Sequence, residues 1–209
     1  FKVHAPQFSN IWTNMNMCYD GVDRPKSWGT YELDPAFNTH KVALYRDDTK
    51  KVAYCCMRGE LSRDTIKDVL TEVSDEGKAK YRTEVVGILE KYKDFELHLA
   101  GHSYGAVNLL QMILDGVVEP RTLASTYVVN SPVIRDRDWI RDVNKYTAQA
   151  PKSFWNIQAQ FDFGLGSVFG ENLSVTDVWN PYLHFLNNEQ TITIAYDTSK
   201  PDADYVQSS

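Results

Sequence analysis

The chain has 209 residues, of which 43% are hydrophobic and 24% charged, with a net charge of −6 and a pI near 5.4. This length and composition predict one globular domain over residues 1–209. The acidic balance argues against a nucleic-acid binder, which normally carries a basic surface, and is compatible with a peripheral contact with a lipid surface. Because no run of about 18 apolar residues occurs, we expect no transmembrane segment.

Three cysteines are present, Cys18, Cys55 and Cys56. An odd number this small does not indicate a disulfide framework, and no Cys-x-x-Cys spacing suggests a metal. Buried free thiols favour an intracellular location and are also compatible with secretion. If the adjacent Cys55 and Cys56 lie on a strand, their side chains point to opposite faces.

The first part of the chain shows no clear hydrophobic period. Residues 1–39 are polar and aromatic with scattered prolines, so we expect an irregular segment with one short helix near residues 11–18. Apolar runs at 41–45 and 52–57 follow, and the polar residues between them predict a hairpin.

Helices and strands alternate after the hairpin. Apolar spacing predicts amphipathic helices over residues 64–73 and 81–92, then a strand over 95–100 and a helix over 106–114. Further strands are predicted at 126–130, 153–161 and 191–196, and residues 197–209 form a loose polar tail. This order predicts an α/β fold with a mostly parallel sheet, helices on both faces and an N-terminal antiparallel hairpin.

One short motif lies between the predicted strand 95–100 and the helix 106–114. Residues 101–105 read Gly-His-Ser-Tyr-Gly. Gly-x-Ser-x-Gly is weak evidence alone, but a strand before it and a helix after it are what a nucleophile elbow requires. We therefore predict Ser103 as a nucleophile, with the Tyr104 N–H at the helix N-terminus as an oxyanion donor.

A serine hydroxyl needs a base to become a good nucleophile. In strand–turn–helix hydrolases the triad follows the order serine, acid, histidine, which selects His184. The other histidines precede the serine or lie in its strand and turn: His4, His40, His98 and His102.

The triad acid should lie between the serine and the histidine, where it would hold the imidazole in the correct tautomer. Asp162 directly follows the predicted strand 153–161 and is the first candidate. Asp177, closer to His184, is the alternative. A second oxyanion donor is expected after an earlier strand, and the N–H of Glu60 follows the strand 52–57.

Taken together, these segments resemble the class 3 (fungal-type) lipase family over residues 41–184. The matching segments are Cys-Met-Arg-Gly-Glu at 56–60, Ile-Lys-Asp at 66–68, Gly-His-Ser-Tyr-Gly at 101–105, Val-Asn-Ser-Pro at 129–132 and Ala-Gln-Phe-Asp at 159–162. The resemblance implies an α/β-hydrolase fold and a serine esterase or lipase that acts on lipid or small acyl esters without a cofactor or metal. Catalysis would use Ser103, Asp162 and His184, with an oxyanion hole at Tyr104 and Glu60.

The chain departs from the family pattern at three places. Glu60 stands where the family prefers Thr or Ser, so a hydroxyl is lost and a carboxylate near the hole would repel an oxyanion. Ala106 replaces a usual glycine. Only residues 74–80 separate the two predicted helices where the family has its amphipathic lid. We therefore expect little or no interfacial activation.

Two functions follow from these residues. The first is hydrolysis of carboxylic esters through an acyl-enzyme, and a peptidase or thioesterase would use the same triad. The second is a catalytically impaired hydrolase fold that serves as a structural or binding module. Glu60 and the short segment at residues 74–80 motivate this alternative, and fold alone does not determine function.

Overall fold

The protein is described by a computed structural model that covers residues 5–60, 62–70, 73–131, 137–160, 190–196 and 205–208. Its helices are α1 Ala5–Cys18, α2 Arg63–Leu70, α3 Asp75–Lys91, α4 Tyr104–Leu114 and α5 Arg137–Thr147. Its strands are β1 Ser27–Trp28, β2 Tyr31–Asn38, β3 Val42–Asp47, β4 Val52–Met57, β5 Glu96–His102, β6 Ser125–Val129, β7 Phe154–Gln160, β8 Thr191–Tyr196 and β9 Tyr205–Ser208.

The described strands form one sheet whose spatial order follows the sequence order. Strands β1 to β4 pair antiparallel, β4 to β8 pair parallel, and β9 pairs antiparallel with β8. The mostly parallel sheet with an antiparallel hairpin is confirmed. In the register of the central strands Met57 lies opposite Gly101, and His102 lies opposite Val129, so β4, β5 and β6 end at one edge.

Two apolar layers cover the two faces of the sheet. Leu44 and Cys55 pack with α3 and α4, whereas Tyr45 and Cys56 pack with α1 on the other face. Parallel strands are joined by right-handed crossovers, and the crossovers from β4 to β7 all move in the same direction across the sheet. The crossover helices therefore share one face, and the second face is covered by α1. Within the described residues, no helix is long and apolar enough to span a membrane.

The expectation of an irregular segment over residues 1–39 is wrong, except that the short helix expected near residues 11–18 lies within α1. This part of the chain contains α1, β1 and β2. The apolar stripe of α1 was obscured because it has few members, Ile11, Met15 and Cys18, and because the polar Asn14 is buried among them. Strand β2 was obscured by Pro35, near which its register with β3 shifts; proline cannot donate to a strand ladder.

The expectation of a loose tail over residues 197–209 is also wrong in part. Residues 205–208 form β9, which pairs with β8 at the sheet edge through Tyr196 and Tyr205. A strand of four residues carries too little pattern to be recognised from the sequence, because its conformation depends on pairing with β8.

Helix α3 begins earlier than the sequence predicts. The polar residues 75–80 are its first turns, because the Ser74 side chain caps the helix by accepting a hydrogen bond of 3.1 Å from the Gly77 N–H. The connection between α2 and α3 is therefore limited to residues 71–74.

A buried polar group, centred on Asp68, joins α2, α3 and α4. The Tyr104 hydroxyl donates to Oδ2 of Asp68 at 2.5 Å, and the Ser74 hydroxyl donates to the same oxygen at 3.1 Å. Burial and the Asp68 carboxylate raise the pKa of Tyr104 well above its ordinary value. Gly77 lies against this group, and a Cβ there would clash with Asp68 Oδ2 and Tyr104 Oη.

We expect Gly77→Ala to lower the free energy of unfolding by about 1–3 kcal/mol, because the added methyl must displace a buried hydrogen-bonded pair. Gly87→Ala on the same helix is the matched control. A Cβ at Gly87 meets the edge of the Phe37 ring at 3.2 Å, and alanine favours a helix interior. Urea unfolding of both variants tests this, and equal stabilities for the two would contradict it.

Candidate functional site

Ser103 occupies the turn between β5 and α4 in an unusual backbone conformation. Its φ is 54° and its ψ is −121°, a region that L-residues adopt rarely and at a cost of about 1–3 kcal/mol. The Ser103 N–H donates to the Val129 carbonyl at 3.0 Å, and its own carbonyl accepts from the N–H groups of Ala106 and Val107. These bonds hold the strained turn from both sides.

Three glycines allow backbone segments to approach this turn. A Cβ on Gly101 would lie 2.7 Å from the Gly105 carbonyl oxygen, and one on Gly105 would clash with the carbonyl of Met57. A Cβ on Gly59 would lie 2.7 Å from the Cβ of Ser103. The segment after β4 therefore lies directly against the serine.

Two backbone N–H groups stand next to Ser103. The Tyr104 N–H is at the first position of α4, where the helix dipole is positive, and the Glu60 N–H follows Gly59. Neither donates a hydrogen bond to an acceptor in the described part of the chain. Their role as oxyanion donors stays a prediction.

The side chain of Glu60 is paired with a cation. Its Oε2 lies 3.0 Å from Nζ of Lys80 on α3, and the Glu60 carbonyl accepts from the Thr65 hydroxyl at 3.0 Å. The sequence alone suggested that this carboxylate would repel an oxyanion. The ion pair with Lys80 offsets that negative charge, a contact that no local sequence signal indicates.

Tyr19 connects α1 to the turn. Its hydroxyl accepts from the Gly59 N–H at 2.9 Å and is hydrogen-bonded to Nδ1 of His102. Burial lowers the pKa of His102 to about 4, so the ring is neutral at pH 7. Its Nδ1 can then accept a hydrogen bond from the Tyr19 hydroxyl. Sequence reasoning missed Tyr19, because its contacts with Gly59 and His102 join residues far apart in the chain.

Ser103 opens into a cleft of about 530 Å³. The described residues that line it are Tyr19, His40, Lys41, Arg58, Gly59, Glu60, His102 and Ser103. His40 was rejected as the catalytic base because it precedes the serine in the chain, but it lies in the cleft. His98 is elsewhere: it is buried, stacks on Tyr54 and contacts the Ser125 hydroxyl at 2.5 Å.

The other predicted triad members, Asp162, Asp177 and His184, lie outside the described residues. Their placement relative to Ser103 stays a prediction. Among the residues that the structure does describe, no three His, Cys, Asp or Glu side chains group in a way that could hold a metal ion.

The sequence matches no protein-family model and no curated protein. Its fold, however, is similar to solved lipases. A triacylglycerol lipase from Penicillium expansum matches at TM-score 0.51 and 14% identity over 100% of this chain and 85% of that chain. The Rhizomucor miehei lipase propeptide complex matches at 0.52 and 13%, over 99% and 73%. A lipase from Rhizopus microsporus var. chinensis matches at 0.50 and 15%, over 97% and 78%. This chain therefore has the α/β-hydrolase fold in the form found in fungal triacylglycerol lipases.

The lowered pKa of His102 predicts how stability depends on pH. Between pH 6.5 and about 4 the unfolded chain binds a proton at this residue and the folded chain does not, so the free energy of unfolding falls as the pH is lowered through this window. The full loss is ~3 kcal/mol. Urea unfolding from pH 4 to pH 8 should show this slope in the wild type and a smaller slope in His102→Asn. An equal slope in both proteins would contradict it.

Proposed function

We propose that this chain is a serine hydrolase that cleaves carboxylic esters of lipids or small acyl groups through an acyl-enzyme. The observation that supports this most strongly is the strained backbone of Ser103 at the start of α4, with the Gly59 segment packed against it. A protein that did not use the serine would gain stability by relaxing this turn.

In the proposed reaction, Ser103 Oγ attacks the ester carbonyl while His184 takes the hydroxyl proton. The N–H groups of Tyr104 and Glu60 stabilise the oxyanion. The alcohol leaves with the proton from His184, and water, activated by the same histidine, then releases the acid from the serine. Asp162, or alternatively Asp177, would hold the His184 tautomer.

His102 is a poor candidate for the base although it is next to the serine in sequence. Its Nδ1 is hydrogen-bonded to Tyr19, and a pKa of about 4 makes the ring a weak proton acceptor. The base must therefore come from another element, which supports His184 and leaves His40 as the residue to compare with it.

The alternative of a catalytically impaired module depended partly on the Glu60 carboxylate, which would repel an oxyanion. That carboxylate is paired with Lys80, which weakens this argument. The short connection at residues 71–74 bears on the substrate instead. The family that this chain resembles has its lid between these two helices, and a connection of this length is too short to form one. We therefore propose activity on dispersed esters with little activation at an interface.

We expect Ser103→Ala to abolish labelling by a fluorescent fluorophosphonate and to lower kcat for p-nitrophenyl esters by at least about 1,000-fold, because the attacking oxygen is removed. Ser27→Ala is the matched control, since Ser27 is exposed on β1. Failure of the folded wild type to react with the fluorophosphonate would overturn the proposal.

The same assay tests the other triad members. His184→Ala should reduce turnover by about 1,000-fold, whereas His40→Gln should retain most of it. Asp162→Asn and Asp177→Asn decide between the two acids. The triad acid is the residue whose replacement lowers turnover more. Full activity of His184→Ala together with inactivity of His40→Gln would show that the base had been misassigned.

We expect Lys80→Gln to lower kcat by about three- to fivefold with little change in KM, because the unpaired Glu60 carboxylate then opposes the oxyanion. The effect is modest because the pair is partly solvated. Adding Glu60→Gln to Lys80→Gln should restore kcat, since it removes the charge and keeps the backbone donor. Steady-state kinetics at low salt measure both, and an unchanged kcat in Lys80→Gln would refute the idea.

A further inference from the structure

The cleft in front of Ser103 is basic although the protein is acidic. The chain carries 22 Lys and Arg against 28 Asp and Glu. The charged side chains in the described lining are Lys41, Arg58 and Glu60, and Glu60 is paired with Lys80. Two basic residues without a paired acid therefore remain among the described residues that line the cleft with Ser103.

The two cations of the cleft differ from Lys80, which is paired with Glu60. In the described part of the chain neither Lys41 nor Arg58 forms an ion pair. Both side chains are half-buried rather than fully exposed. Partial burial reduces screening by water, so an anion in the cleft would interact with them more strongly than with surface lysines.

The positions of Lys41 and Arg58 are fixed by the fold. The Arg58 N–H donates to the Lys41 carbonyl at 2.7 Å, and the Arg58 carbonyl accepts from the Tyr81 hydroxyl at 2.5 Å. The Arg58 guanidinium lies 5.0 Å from the centre of the Tyr19 ring. Both cations thus stand at the sheet edge, adjacent to Gly59, which touches Ser103.

We propose that Lys41 and Arg58 bind an anionic group of the substrate, so that the ester cleaved at Ser103 carries a phosphate or carboxylate close to the scissile bond. This inference rests on the proposed ester hydrolysis. Guanidinium binds both oxyanions through two parallel hydrogen bonds, and an ammonium adds a point charge. A neutral ester would leave both cations without a partner among the cleft residues that the structure describes.

The first test compares three esters with the same acyl chain: decanoylglycerol, decanoylglycerol phosphate and decanoyl glycerate. They are used below the concentration at which they aggregate, so that a preference reflects the headgroup and not a lipid surface. We expect kcat/KM to be higher for the charged esters, mainly through KM, and the preference to shrink as salt is raised. A preference shared by both charged esters indicates charge alone, and one confined to the phosphate ester indicates phosphate binding.

Variants then assign the preference to residues. Lys41→Gln and Arg58→Gln should each reduce the ratio of charged to neutral kcat/KM by about fivefold, and Arg58→Lys should recover part of it. Lys93→Gln is the matched control, because Lys93 is exposed beyond the end of α3. A wild-type ratio near one, or a ratio unchanged in both cleft variants, would overturn the inference while leaving the ester hydrolase intact.

A second measurement does not depend on turnover. Calorimetry on Ser103→Ala, with decyl phosphate and with uncharged decyl glucoside, should show tighter binding of the phosphate and loss of that difference when Lys41→Gln is added. Equal binding of the two ligands would overturn the inference. If no ester is cleaved by the wild type but decyl phosphate still binds through Lys41, then the anion site stands and the proposed hydrolysis fails.

Discussion

The close approach of three backbone segments at Ser103 is the constraint on which the rest of the site depends. The end of β4, the end of β5 and the first turn of α4 meet where Gly101 and Gly105 leave no space for a Cβ. Strand register follows from this contact, because Met57 must lie opposite Gly101 for its carbonyl to face Gly105. The strained serine persists because the packed core around it determines its backbone more strongly than local preference does.

Two tyrosines support the turn from opposite faces of the sheet. Tyr104 is tied to Asp68 on the face that carries the crossover helices, and Tyr19 is tied to Gly59 and His102 on the face that α1 covers. Each hydroxyl has an upward-shifted pKa because it is buried, so each stays a neutral donor at ordinary pH. The N-terminal helix is therefore part of the scaffold of the site.

What the sequence could predict follows from how local each determinant is. The hairpin, α4 and the turn at Ser103 depend on neighbouring residues, and all three were predicted. Helix α5 was missed although Trp139, Ile140 and Val143 carry a helical spacing and the first two pack against the core. Strand β9, by contrast, carries no such signal, because it exists only through pairing with β8.

The same distinction applies to the residues of the site. Ser103 and the backbone donor at Glu60 could be proposed because each follows a strand within a short motif. Tyr19 and Lys80 could not, since Tyr19 is 83 residues from its partner His102 and Lys80 is 20 residues from its partner Glu60. Asp162 and His184 were chosen by their order along the chain, which is an argument from fold and not from contact.

Net charge proved a poor guide to the charge of the cleft. Among the described residues, Asp68 is compensated by hydroxyl and backbone donors and Glu60 by Lys80. The described part of the cleft therefore keeps the positive N-terminus of α4 and the cations Lys41 and Arg58 near Ser103. An acidic protein can in this way attract an anionic ester to a basic cleft, because the interaction energy falls with distance and the nearest unpaired charges count most.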